Sequence, residues 1–454
     1  MGDRNMVKKL IEGGIIITMD KDRRIIEDGY IVIEDKKIKA VGKWNDVKDE
    51  ARDVEEKISL KKRIIIPGII CSHTHLYGIL LRGAPLKIKP PTDFMQILKR
   101  IWWFEDEAMN YDDAYGSALA ASYEMLRSGT TLFADTYSGP NSIEGVLDYI
   151  EKGVREVGIR GILAFESTER RSVEEGDRGI KENVRFIKKL SSANDNKIFG
   201  MYSIHASFTV SDEHIKKVLE YAKKYPAPIT IHTSEGLVDL YHNLERYGKR
   251  TVERLYDVGL LGPNTVLAHA VHVNDDELEL IKKTDTKVAH NPMSNMLNAV
   301  GVSPVPKMLN LGITIGLGND GFIFDSFENI RTAFLIHKLN LRDPRAMSPM
   351  QVLEMATING AKLYGLEDKF GSIEVGKYAD ITVLDPKPAP TPVYADSAVG
   401  HIVYGLGAKS VDKVFIDGEL VVDNGEVLTV TAKYVEEKLQ KSSTELWRRL
   451  GIDI

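Results

Sequence analysis

At 454 residues the chain is long enough for more than one folded unit, and its single cysteine, Cys71, rules out an intrachain disulfide or a cysteine metal cluster. A net charge of −6 argues against a nucleic-acid partner, and no apolar run is long enough to span a bilayer. The N-terminus carries charges ahead of any apolar run and lacks the form of a signal peptide, which with the lone thiol suits a cytoplasmic protein.

In chain order, residues 14–19, 29–34 and 37–42 read as short strands joined by charged turns. The run Ile64-Ile-Ile-Pro-Gly-Ile-Ile-Cys-Ser-His-Thr-His75 is a β-branched, buried-strand pattern that ends in a His-X-His pair. Side chains i and i+2 of a strand point the same way, so His73 and His75 can reach one metal together. Seven further apolar runs end on polar residues: Asp135, Glu166, His205, His232, His269, His290 and Asp320. Between them, residues 112–127, 143–156, 212–224 and 240–256 carry helical periodicity. Strand alternating with helix eight times is the sequence form of a (β/α)8 TIM-like barrel, whose active site gathers at the C-terminal strand ends. Past the barrel, residues 379–385 and 411–425 return to short strands, with Asp417-Gly418 as a hairpin turn. Residues 433–450 read as an amphipathic helix. The expected α/β architecture is therefore discontinuous. Residues 1–63 and 371–454 together form a small β-sandwich with a terminal helix, and residues 64–370 form the catalytic barrel.

A mononuclear site needs three or four protein ligands and an open position for water. His73, His75, His232 and Asp320 supply them. One divalent cation per chain is expected, zinc first and iron(II) as the alternative. It would lower the pKa of bound water toward ~7. Asp320 can accept the proton of that water, and Glu235, just past the fifth strand, can carry a proton to a ring nitrogen of the substrate. His269 would orient the attacking oxygen or meet the leaving group. A two-metal site would want a modified lysine at the end of the fourth strand. His205 stands there instead, as a candidate substrate contact. Asp135 and Glu166 are as suited to a structural hydrogen bond as to substrate contact. Cys71 is expected to be buried and inert.

These residues resemble the amidohydrolase superfamily, in its branch of nucleoside, guanine and triazine deaminases and chlorohydrolases. The resemblance rests on Pro67-Gly-Ile-Ile-Cys-Ser-His-Thr-His75, Leu81-Arg-Gly83, His232-Thr-Ser-Glu235, His269, His290-Asn-Pro-Met-Ser-Asn295 and Leu317-Gly-Asn-Asp-Gly321. It continues through Ala356-Thr-Ile-Asn-Gly-Ala-Lys-Leu363 and Gly371-Ser-Ile-Glu-Val-Gly-Lys-Tyr-Ala-Asp380. Trp102-Trp103, His205-Ala-Ser-Phe208 and Gly236-Leu-Val-Asp-Leu-Tyr241 are similar to aminohydrolases associated with selenium metabolism. The methylthioadenosine and S-adenosylhomocysteine deaminases are similar as well. In those a glutamate after the first strand binds ribose hydroxyls and an arginine after the third binds a carboxylate. The resemblance puts Glu105 and Arg178 in those places, and it implies a homo-oligomer, a dimer or larger.

The expected activity is hydrolytic deamination of an amino-substituted N-heterocycle, a purine base or nucleoside, with release of ammonia. Dechlorination or cyclic-amide opening at the same site is the alternative. A catalytically silent scaffold barrel would have lost its metal ligands, and here all of them are present.

Overall fold

The computed structural model describes residues 8–47, 51, 53–193, 195–388 and 391–452, so the charged segment 1–7 lies outside it. Eight strands run parallel: β1 (Ile69–Thr74), β2 (Thr130–Tyr137), β3 (Arg160–Ser167), β4 (Tyr202–Ala206), β5 (Ile229–Thr233), β6 (Thr265–His269), β7 (Lys287–His290) and β8 (Ile315–Leu317). Each pairs with the next. The cylinder closes where Thr74 and Asp320 form a parallel bridge. There the Asp320 amide donates to His73 O at 3.0 Å, and the His75 amide donates to Asp320 O at 3.2 Å. This is the (β/α)8 barrel expected from the alternation. Its strands are covered on both faces, which is why they read as continuous apolar runs rather than alternating ones.

The expected strand and helix limits change at three places. The isoleucine run read as the first barrel strand divides at Gly68. Ile64–Pro67 pairs with Ile15–Ile17 and Ile381–Leu384 in another sheet, and only Ile69–Thr74 enters the barrel. A Cβ on Gly68 would lie 2.0 Å from Thr131 Oγ1, so the crossing between the two sheets needs glycine. The expected fourth strand is interrupted at Met201. Ile198–Gly200 pairs alone with β3 before β4 begins. The helix expected over 240–256 is two helices, Leu237–Tyr247 and Thr251–Asp257, because Gly248 ends the first in a left-handed conformation (φ 65°).

Strands from the two chain ends build the second unit. A seven-stranded sheet runs, in spatial order, Glu426–Val427, Glu419–Asp423, Val411–Ile416, Ile381–Leu384, Ile64–Pro67, Ile15–Ile17 and Ile25–Glu27. A four-stranded sheet of Lys37–Lys43, Gly29–Glu34, Lys8–Glu12 and Glu56–Ser59 packs on it. Ile11, Ile16, Ile33, Ile65, Ile381 and Phe415 fill the space between them. The hairpin turns at Asp417 and Gly418, both at positive φ, as the Asp-Gly pair predicts.

Two contacts tie this unit and the terminal helix to the barrel. Arg160, at the start of β3, is fully buried and holds Asp380 with both fork nitrogens, at 2.6 and 2.9 Å. It also binds Asp417, beneath the Phe370 ring. The terminal helix Ala432–Arg449 crosses the segment after β1. Trp447 Nε1 donates to Leu80 O at 2.7 Å, and Arg449 Nε donates to Ala108 O at 3.0 Å. Among the described residues no helix is long and apolar enough to cross a membrane.

Candidate active site

All eight polar endings lie at the C-terminal end of the barrel. Two bulges re-aim the strands there. The β1–β2 register slips between Cys71 and Thr74, bracketing His73. The β4–β5 register slips between Ile204 and Ala206, bracketing His205. Three residues at other strand ends hold left-handed backbone: Ser234 (φ 51°), His269 (φ 73°) and Asp320 (φ 60°). Each such residue costs about 1–3 kcal/mol, and this strain collects where side chains must be aimed.

The aimed atoms converge. Ligand atoms of His73, His232, His269 and Asp320 lie within 4.8 Å of one another. His75 Nε2 is 3.1 Å from Asp320 Oδ1 and 3.1 Å from His232 Nε2. His73 Nε2 is 3.2 Å from the same Asp320 oxygen. On the far side of the rings, Nδ1 of three histidines is already engaged. His75 donates to Thr136 O at 2.9 Å, His232 to His205 O at 2.6 Å and His269 to Asn295 Oδ1 at 2.8 Å. That network assigns a proton to Nδ1 and turns each Nε2 inward. His269 Nε2 is buried and has no hydrogen-bond partner.

The electrostatics follow the same arrangement. Burial pushes His73 down to about 4 and His232 well below the usual imidazole value. Their lone pairs are therefore free at neutral pH. Burial would also lower His75, but Asp320 and Glu166 outweigh it and hold the ring up to about 10. Burial would raise Asp320, but His75 and the hydrogen bond from His73 hold it well below the carboxylate range. Ser294 Oγ donates to its second oxygen. Inward ring nitrogens around one ionised carboxylate suit a divalent cation, and the orphaned His269 nitrogen has no hydrogen-bond partner.

Glu235 sits in the turn after β5, 7% exposed, with Oε2 at 3.6 Å from His269 Nε2. Asn298 Nδ2 donates to its other oxygen at 3.4 Å. Burial and the Asp320 charge raise its pKa well above the usual value. The two carboxylates of the site are thus pushed in opposite directions. Above them opens a small cavity of ≈ 40 Å³. Trp102, Phe94 and Phe208 wall it, with His205 and Glu166 on its floor. A Cβ on Gly236 would fall 2.5 Å from the Phe94 ring, and one on Gly321 2.2 Å from Trp102, so the aromatic wall needs both glycines.

Not every expected site residue is brought here. Arg178 lies on the outer face, about half exposed, in a two-pronged pair with Glu144 at 2.6 and 2.8 Å. Glu105 does not line the cavity. It is fully buried one turn after Trp102, whose indole takes the lining position, and neither of its oxygens has a partner. Asp135 accepts from the Leu76 amide at 2.8 Å, a structural bond that fixes the loop after β1. His290 points away and meets His337 at 3.1 Å. Cys71 is buried, and burial pushes its thiol up to about 12. Sequence reasoning assigned no role to Ser294, Asn295 or Asn298. They sit on or just past the short helix Pro292–Leu297, the first two within the His290-to-Asn295 motif and Asn298 just beyond it. The i, i+4 spacing of Ser294 and Asn298 was the available sign that they share a face.

The sequence profile of the amidohydrolase family matches residues 64–421. The chain belongs to the amidohydrolase family. This amidohydrolase is 36% identical to a 5'-deoxyadenosine deaminase of Methanosarcina acetivorans over 452 residues, 98% of this chain and 99% of that protein. It is 35% identical to a 5-methylthioadenosine/S-adenosylhomocysteine deaminase of Thermoanaerobacter pseudethanolicus over 451 residues, 97% of this chain and 99% of that one. Among solved structures, an adenosine deaminase from Xanthomonas campestris with bound zinc superposes with a TM-score of 0.87 over 97% of this amidohydrolase and 99% of that chain. At 24% identity, that likeness speaks for the fold.

Proposed function

We propose that this amidohydrolase deaminates adenine nucleosides, giving the 6-oxo purine and ammonia. The observation that carries the reading is the opposed pair of carboxylates. Burial and the Asp320 charge push Glu235 toward its protonated form, while Asp320, held low by the imidazoles, can take a proton. The activities for which the two relatives are named support the nucleoside class.

His73, His75, His232 and Asp320 would hold one divalent cation, zinc by preference, with His269 beside them. When bound, the cation polarises the attacking water and lowers its pKa toward ~7. Asp320 takes a proton from that water as its oxygen attacks C6. Glu235 gives its proton to N1. The tetrahedral carbon then loses the amino group, which leaves as ammonia with the proton held by Asp320. The new hydroxyl returns a proton to Glu235 as the C6 carbonyl forms. His269 Nε2, 3.6 Å from Glu235, orients the attacking oxygen. Trp102 and Phe208 offer flat apolar faces to the purine.

A panel of 5'-deoxyadenosine, methylthioadenosine, adenosine, guanine and 8-oxoguanine, scored by ammonia release, tests the substrate. The first two are expected to react fastest. Release from guanine alone would overturn the reading. Elemental analysis should find about one zinc per chain, since the fourth strand ends in His205 and offers no lysine to bridge a second ion. Two tightly held ions per chain would overturn the mononuclear site.

A further inference from the structure

One carboxylate in the cavity takes no part in this chemistry. Glu166, at the end of β3, is 2% exposed and lines the floor of the cavity. Its Oε1 lies 3.7 Å from His75 Nδ1 and 3.7 Å from His232 Nδ1. Those two rings stack, with centroids 5.2 Å apart and planes 13° from parallel. Their Nε2 atoms face each other across 3.1 Å at the cation cluster, and both Nδ1 edges turn toward Glu166. Thr136 fixes the carboxylate. Its hydroxyl donates to Glu166 Oε1 at 2.9 Å and lies 3.1 Å from His75 Nδ1.

This geometry admits one role and excludes another. Both Nδ1 atoms already donate to backbone carbonyls, Thr136 O and His205 O, so neither has a lone pair for a second ion beside Glu166. What the carboxylate supplies, when ionised, is charge on the Nδ1 side of two rings at once; burial raises it to about 7 against the lowering pull of His75. A negative charge there reinforces both Nδ1–H donors. It also offsets the positive charge the rings gain when Nε2 binds a cation.

We propose that Glu166 is a positioning residue shared by two metal ligands: set against the Nδ1 edges of His75 and His232 together, it steadies both rings and strengthens cation binding. The inference rests on the single-cation reading above. Partners of ligand histidines typically contribute about 10–100-fold in metal affinity. Glu166→Gln keeps the size and the bond from Thr136 and removes only the charge.

The test is a chelator-competition titration of metal-free protein with zinc, with thermal melts of the metal-free form alongside. Glu166→Gln is expected to bind zinc about 10–100-fold more weakly while the metal-free melting temperature does not fall. Zinc affinity equal to wild type would overturn the proposal, and so would equal affinity with a raised KM, which would mark Glu166 as a substrate contact. Should the glutamine variant not fold, Glu166→Asp decides between the outcomes. It retains the charge but draws it back from both rings, so a several-fold loss of affinity supports the proposal and unchanged affinity overturns it. Wild-type protein that binds no zinc would overturn this inference and the cation reading together; wild-type binding with an unaffected Glu166→Gln overturns this inference alone.

Discussion

Glu235→Gln is expected to lose about 10²–10⁴-fold in turnover while keeping its metal and its melting temperature. Glu235 is not among His73, His75, His232 and Asp320, the residues that would hold the cation, so its loss leaves those ligands in place. The amide preserves the side-chain length and an oxygen to accept from Asn298. What disappears is the proton that burial and Asp320 keep on the carboxyl. His232→Ala should behave differently, because removing a ligand lowers metal content and stability as well as rate. Bound metal measured beside the initial rate of ammonia release separates the two outcomes. A Glu235→Gln enzyme with full metal and near-native rate would move the proton transfer to Asp320 and His269.

Arg160→Met is expected to destabilise the protein by about 3–5 kcal/mol, because it strands buried Asp380 without its cation and leaves Asp417 only the exposed Lys36, 3.5 Å away. Asp380 and Asp417 are each 5% exposed. Asp380 is held at 2.6 and 2.9 Å, and it also accepts from the Asp417 amide at 3.0 Å. The pair joins β3 of the barrel to the Asp417-Gly418 hairpin, so both units should loosen together. Adding Asp380→Asn and Asp417→Asn should recover much of the loss, since the uncompensated charges go with them. Denaturant melts of the single and triple variants decide this. A single variant as stable as wild type would mean that the buried pair contributes nothing net.

The barrel was legible because its chemistry sits where apolar runs stop. Each of His73, His232, His269 and Asp320 follows a buried strand, and the fold brings those endings to one mouth by construction. The division at Gly68 was not legible, since isoleucines that join the barrel and isoleucines that join the other sheet are the same residues. Only the distant partner Ile381–Leu384 distinguishes them. The helix break at Gly248 was written in the sequence, yet apolar periodicity runs through it. Glu166 could be seen as a strand-end acid, but its relation to two rings depends on the bulge near His205 and on Thr136 of the neighbouring strand. Arg178 was placed by resemblance. What decides its direction is Glu144, from a different element, which no local pattern reveals.

The order in which a ribosome delivers this chain gives the shared sheet a second meaning. Ile64–Pro67 meets Ile15–Ile17 early, but its other neighbour, Ile381–Leu384, is made hundreds of residues later. At ~5–20 residues per second that interval is on the order of tens of seconds. The barrel can close as soon as Asp320 has emerged, while the strand beside it still shows an open edge of isoleucines. Unpaired edges of that kind are templates for wrong pairing with other chains. That edge stays open until residues 381–384 are made, after the whole barrel has been delivered.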